Sequence, residues 1–307
     1  MNSEIPRRPL GSTGQMVSII GLGGYHIGTQ ADEKESIAIV RTAIDNGMTF
    51  MDNCWDYNDG TSEIRMGKAL RDGYRQRAFL MTKLDGRDKK TARSQIEESL
   101  QRLQTDVIDL IQFHEVIQET DPGRIFAPGG AMEAVREAQS AGKVRYIGFT
   151  NHKSPYTLLK MLQLASDNGV RFDAVQMPLN VMDFHFDSFQ KQVVPGLVEQ
   201  SIGIIGMKPL SDHMILESNT LTAPECLRYA MSLPVSVTLT GCDSMKILQQ
   251  ALDVARNFTA ISEAERTDML ERTVKAGSKG EYERYKTTDI HDATCKNPQW
   301  LDGSLKG

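Results

Sequence analysis

Phe50-Met51-Asp52-Asn53-Cys54-Trp55-Asp56-Tyr57 is the stretch that decides the fold of this chain. Met48 to Met51 reads as a short apolar strand that passes without interruption into polar residues ending in a phenol. Two later strand-like runs finish the same way. Ala78-Phe79-Leu80-Met81-Thr82 delivers Lys83, and Val107-Ile108-Asp109-Leu110-Ile111-Gln112-Phe113 delivers His114. Four reactive side chains therefore leave the same ends of three strands.

One chemistry uses all four. A phenol with a pKa of about 10 is a poor acid at pH 7. A cation about 4 Å away, at an effective dielectric near 20, favours the phenolate by roughly 4 kcal/mol, or about three pKa units. Lys83 is expected to supply that cation for Tyr57, Asp52 to hold Lys83 charged, and His114 to orient a carbonyl. The reaction this implies is hydride addition to a carbonyl with Tyr57 as general acid. Singly, each residue has an ordinary reading as a turn aspartate, a rim tyrosine, a surface lysine or a core histidine. Their shared place after the second, third and fourth strands is the face where barrel enzymes keep their active sites, and it favours the chemical reading.

On these residues the chain resembles the aldo-keto reductases, from the Gly21-Leu22-Gly23 entry to the Gly241 loop, with Gly148-Phe149-Thr150-Asn151 after the strand Val144 to Ile147. The resemblance implies a (β/α)8 TIM barrel of class α/β, with an N-terminal β-hairpin and a C-terminal helix and tail. It also implies the tetrad Asp52, Tyr57, Lys83 and His114, and a nicotinamide cofactor, NADP(H) or NAD(H). Gly21-Leu22-Gly23-Gly24-Tyr25-His26 lacks the third glycine of a dinucleotide fingerprint, so the site is not of Rossmann type.

By the same resemblance the nicotinamide lies across the barrel mouth, with Thr150, Asn151 and Gln176 matching the positions that bond its carboxamide. Met207, before Lys208-Pro209-Leu210, stands where many relatives stack a tyrosine, and its polarizable sulfur can still pack on an aromatic face. After Gly241 the loop reads Cys242-Asp243-Ser244-Met245-Lys246-Ile247. Asp243 would oppose a 2′-phosphate and Lys246 would assist it, which leaves the choice between the two cofactors open. Tyr25, His26, Trp55 and the loop around Ile125-Phe126 are the candidate substrate walls.

The composition agrees. A chain of 307 residues is long for one domain, but a (β/α)8 barrel reaches about 250 and more as a single unit. One domain over residues 1–307 is expected. With 40% hydrophobic and 24% charged residues, the chain can bury a core. A net charge of -5 and pI of 5.8 leave no basic surplus for a phosphate backbone, so nucleic acid is not an expected partner. A small-molecule carbonyl is the expected partner, and oligomeric state stays open. No apolar run approaches the roughly 20 residues of a membrane span, and residues 1–6 lack the apolar core of a signal peptide. A cytoplasmic location follows as an expectation. Cys54, Cys226, Cys242 and Cys295 are widely spaced, which argues for free thiols and against a metal site.

Outward from the opening stretch, Gly11-Ser12-Thr13-Gly14 reads as the turn of a hairpin over Pro9 to Ser18, which in the resembled family plugs the barrel bottom. Val17 to Gly23 would return from it into the first strand. Asp32 and Glu35 suggest a capping box for a helix to about Asp45. Helices follow at about Ser62 to Leu70, Lys90 to Leu103, Ala131 to Ala141, from Ser154-Pro155, at Pro195 to Gln200 and at Glu225 to Met231. They alternate with strands at Val144 to Gly148, Ala174 to Pro178, Ile202 to Met207 and Val235 to Thr240, a pattern that implies a parallel sheet. Residues 117–130, with two prolines and three glycines, read as a long functional loop. Ser262 and Glu265 cap a further helix, and the tail from Gly277 is either a loose terminus or a loop beside the pocket. Two other readings of the barrel remain: a Schiff-base lyase using Lys83 or Lys208, and a cofactor-binding regulatory subunit with little turnover.

Overall fold

Successive side chains on a strand point to opposite faces, so every second residue of a closed sheet faces its centre. In the computed structural model, which describes residues 4–303, β1 (Arg7–Pro9) and β2 (Met16–Ser18) form a separate antiparallel hairpin. The barrel follows as β3 (Ile20–Gly23), β4 (Phe50–Met51), β5 (Phe79–Leu84), β6 (Ile108–Phe113), β7 (Val144–Thr150), β8 (Ala174–Pro178), β9 (Gly203–Met207) and β10 (Val237–Gly241). All neighbours are parallel, and β10 pairs with β3 to close the ring. No helix among the described residues is long and apolar enough to cross a membrane.

Phe50, Met81, Leu110, Ala174, Ile205, Val237 and Leu239 form one buried cluster with Leu10 and Val17 of the hairpin region. This is the barrel interior, stoppered at its N-terminal end. Gly11 makes the stopper possible: its φ is +51°, and a Cβ there would lie 2.4 Å from the backbone N of Gly203. Two residues beyond each inward apolar position, the same parity delivers Asp52, Lys83, Gln112, Gln176 and Met207, and on β7 Tyr146 leads to Gly148 and Thr150. The polar set therefore lies at one level for a geometric reason, the period of two. A second, larger cluster packs the outer strand faces against the helices, with Ile39, Ile96, Leu100, Val135, Leu158 and Leu252 among its members.

Several local expectations change. β5 and β7 run on to Leu84 and Thr150, so Lys83 and Thr150 are strand residues rather than loop residues. Asp32 caps its helix by accepting from Lys34 N–H, without the reciprocal Glu35 bond. The Ser262–Glu265 box is complete. Ser154 makes no side-chain cap; the turn before the helix is instead held by Asn151 Oδ1, which accepts from the amides of Lys153 and Ser154. Within residues 117–130 the chain forms a helix, Asp121–Phe126, whose first residue accepts from the amides of Ile117 and Gln118 and from Arg87. Ile125 is fully buried and Phe126 lies against Phe172, so both belong to the core and not to a substrate wall.

The tail is firmly attached. Lys286 Nζ donates to Asp183 Oδ1 at 2.7 Å and Glu283 Oε2 at 3.1 Å. Thr294 donates from its amide and hydroxyl to Glu115 Oε2 at 2.8 and 2.9 Å. Asp292 accepts from Lys153 at 2.6 Å, and Leu301 O from the Arg87 amide at 2.7 Å. These anchors follow β5, β6, β7 and β8, so the tail spans the C-terminal mouth of the barrel.

Candidate active site

Lys83 is the hub. Its ammonium is buried and donates to Asp52 Oδ1 at 2.6 Å, Asn53 O at 2.7 Å and Tyr57 Oη at 3.1 Å. Burial works against its charge, but the surrounding acidic groups, Asp52 first and then Cys54 and Asp56, together more than compensate and raise the lysine above its ordinary value. Burial pushes the Asp52 carboxyl up, opposed by Lys83. Burial, with Asp52, Cys54, Asp56 and Glu115 adding negative charge, drives the phenol well above its usual range. The expectation that Lys83 brings the phenol below its ordinary value is not met, because burial, with the surrounding acidic groups behind it, outweighs the ammonium. Tyr57 is a protonated acid throughout the neutral range.

His114, one residue past β6, meets Tyr57 edge-on with ring centroids 5.8 Å apart. Its Nδ1 lies 2.9 Å from Asp85 Oδ1 and 3.4 Å from Asp56 Oδ1. Burial alone would lower this imidazole, but Asp56 and Asp85 outweigh it and the net shift is upward. Burial followed by the Asp85 charge lifts Asp56 to about 7. Arg87, fully buried, donates to Asp121 and to the carbonyls of Asp85, His114 and Glu115, fixing the backbone on both sides of the histidine. Sequence reasoning passed over Asp56, Asp85 and Arg87. Asp85 had a signal, since it stands two residues beyond Lys83 and so shares its face.

The other candidates divide. Gln176 donates through Nε2 to the Met207 sulfur at 3.3 Å, and its Oε1 is buried without a partner. That orphaned acceptor at the mouth fits an amide-bearing ring. Thr150 Oγ1 accepts from the Glu115 amide at 2.9 Å, and Asn151 is fully engaged with Val116 O and the amides that follow it. Both act as scaffold in this arrangement. Lys208 has a left-handed backbone, φ +53°, and its ammonium lies 5.3 Å from the Tyr285 ring centre. Burial lowers its pKa. Pro209 and Leu210 lead from it to Ser211, whose hydroxyl donates to Tyr282 O in the tail. Of the two lysines a Schiff-base reading would need, Lys83 is charged and committed to three acceptors, leaving Lys208 as the amine.

Gly241 faces His26: a Cβ there would fall 2.3 Å from its ring. Asp243 and Lys246 are exposed at the start of the helix Met245–Arg256, which Ser244 caps. Tyr25 is 54% exposed and meets Tyr57 edge-on at 5.5 Å. Trp55 bonds Glu98 at 2.9 Å and meets Trp300 of the tail edge-on at 6.0 Å. The tail thus contributes an aromatic wall. All four cysteines are free thiols.

A family model described as "Aldo/keto reductase family" matches residues 19–227. Aldo-keto reductase YhdN of Bacillus subtilis (strain 168) is 37% identical over 157 residues, 46% of either chain, so the match spans about half the length of that relative. The uncharacterized oxidoreductase YrpG of the same organism is 28% identical over 237 residues, 69% of this chain and 70% of its own. Among solved structures, aldo-keto reductase AKR11C1 from Bacillus halodurans, in its holo form, superposes with a TM-score of 0.74 at 22% identity, covering 88% of this chain and 96% of that one.

Proposed function

The chain belongs to the aldo/keto reductase family, and from that premise we propose that it reduces an aldehyde or ketone to an alcohol at the Asp52, Tyr57, Lys83, His114 cluster. The observation that carries the reading is the Lys83 ammonium, bonded at once to a buried carboxylate and to a protonated phenol. A bound nicotinamide, NADP(H) or NAD(H), supplies the hydride. Gln176, with its unpaired acceptor, would hold the carboxamide, Thr150 and Asn151 would shape the wall beside it, and the Met207 thioether could pack on the ring. Lys208, Pro209, Leu210 and Gly241 would line the cofactor groove, with Asp243 and Lys246 toward the 2′-position.

Tyr57 gives its proton to the carbonyl oxygen as negative charge develops there. Lys83 stabilises the negative charge left on the phenolic oxygen, and Asp52 and the Asn53 carbonyl keep the ammonium in place. His114 turns Nδ1 to the aspartates, which leaves Nε2 to donate to the same carbonyl oxygen. Tyr25, His26 and Trp55 flank the substrate. The test is oxidation of NADPH and NADH by a panel of aldehydes and ketones. Turnover that disappears in Tyr57→Phe supports the assignment. Cofactor binding without turnover on any carbonyl would turn the reading to a regulatory subunit, and borohydride trapping of a substrate ketone on Lys208 would turn it to a lyase.

A further inference from the structure

Behind His114 lies a group of side chains that carbonyl reduction does not use in full. Cys54, Asp56, Asp85 and His114 each bring one donor atom into a space where all four lie within 4.8 Å of one another. Asp85 is fully buried, and Asp56 exposes 9% of its side chain. An imidazole Nδ1–H donates one hydrogen bond, and the shorter contact, 2.9 Å, assigns it to Asp85 Oδ1. Asp85 Oδ2 and Asp56 Oδ1 are then buried without a partner. Two buried carboxyl groups, each with an oxygen left without a partner, are costly unless a cation joins them.

We propose that Cys54, Asp56, Asp85 and His114 form a binding site for one divalent cation of borderline softness, with Zn2+ as the fitting case. The donor set, one thiolate, one imidazole and two carboxylates, suits that ion. Tetrahedral zinc with bonds of about 2.0–2.2 Å to N and O places those ligands roughly 3.3 Å apart. The observed separations from His114 Nδ1, 2.9 Å to Asp85 and 3.4 Å to Asp56, bracket that distance. The ligands come from three different βα junctions, which is why the cysteine spacing in the sequence shows no metal motif. A cation on Nδ1 fixes the imidazole with its proton on Nε2, the nitrogen left for a substrate oxygen, so the ion orients His114 without touching the reacting atoms.

The test uses the full chain, stripped with a chelator, without cofactor or substrate, so that its outcome is independent of carbonyl turnover. Zn2+ is titrated against a competing chromophoric chelator, and Co2+ is added to the wild-type protein to look for a near-ultraviolet thiolate-to-metal charge-transfer band. One equivalent per chain is expected, with that band present. Cys54→Ala should abolish the band, and Cys54→Ala and Asp85→Asn should each weaken Zn2+ by at least about a hundredfold, the upper end for loss of a mere supporting partner. Cys295→Ser, which alters the exposed thiol, should change nothing. No stoichiometric uptake by the wild-type chain, or uptake lost in Cys295→Ser and retained in Cys54→Ala, overturns the proposal. The Co2+ spectrum of the wild-type protein decides even where a variant fails to fold.

Discussion

Lys83→Met removes the ammonium while keeping the length and bulk of the side chain. At the observed 3.1 Å from Tyr57 Oη and an effective dielectric near 20, the ammonium attracts a full phenolate by about 5 kcal/mol. Two effects reduce what the reaction loses. The phenolic charge is only partly developed in the transition state, and Asp52, already raised by burial, takes up a proton once its partner is gone and stops repelling that charge. About half the attraction remains at stake, roughly 2–3 kcal/mol, or about 30- to 150-fold in rate. The assay is kcat/KM for the best carbonyl of the panel from pH 6 to 10.5, with cofactor binding and circular dichroism as controls for folding. A proton donor works below its pKa, so the wild-type profile should stay flat through the neutral range and fall only as pH rises through the elevated phenol value; Lys83→Met should move that fall further up. A variant within about threefold of wild type, or a wild-type basic limb centred near pH 7–8, refutes the reasoning.

Tyr57→Phe should bind cofactor normally and lose reduction by at least about a hundredfold, the lower end for a general acid; near-normal turnover removes Tyr57 from the mechanism. Asp243→Asn should tighten NADPH while leaving NADH nearly unchanged, measured as dissociation constants by fluorescence quenching, because only a 2′-phosphate feels the carboxylate. Equal shifts for both cofactors would place Asp243 elsewhere. Burial and the neighbouring Asp183 charge, only partly offset by Lys286, raise Glu283 to about 7. A carboxyl raised on folding contributes stability at low pH that is lost as pH rises through the folded value, here over about pH 4.5 to 7 and worth up to roughly 3 kcal/mol. Urea unfolding should show this slope in the wild-type chain, and Glu283→Gln should flatten it.

Much of the barrel was legible because two periodic rules fix it. Strand alternation and the stop of each apolar run place Asp52, Lys83, Gln176 and Met207 at one level, with His114 one step further on the same face, and neither rule needs a tertiary contact. What escaped depends on distances between remote segments. His152 and Asp292 are 140 positions apart, and no local pattern announces that the tail returns over the mouth. The helix Asp121–Phe126 was hidden by its prolines and glycines, since the carboxylate of Asp121 organises the turn before it. The direction of the Tyr57 shift was misread for the same reason: it is set first by the burial of the phenol and then by the acidic groups packed around it, and sequence order supplies neither.

The hairpin at the other end bears on traffic. With Leu10 and Val17 wedged among the inward side chains, apolar packing closes the barrel at that end and leaves the C-terminal mouth as the approach to the phenol. On the proposed mechanism, a proton surrendered by Tyr57 is restored through the mouth by which the alcohol product would leave. Resetting the acid and emptying the site then compete for one passage, so a bulky product delays both.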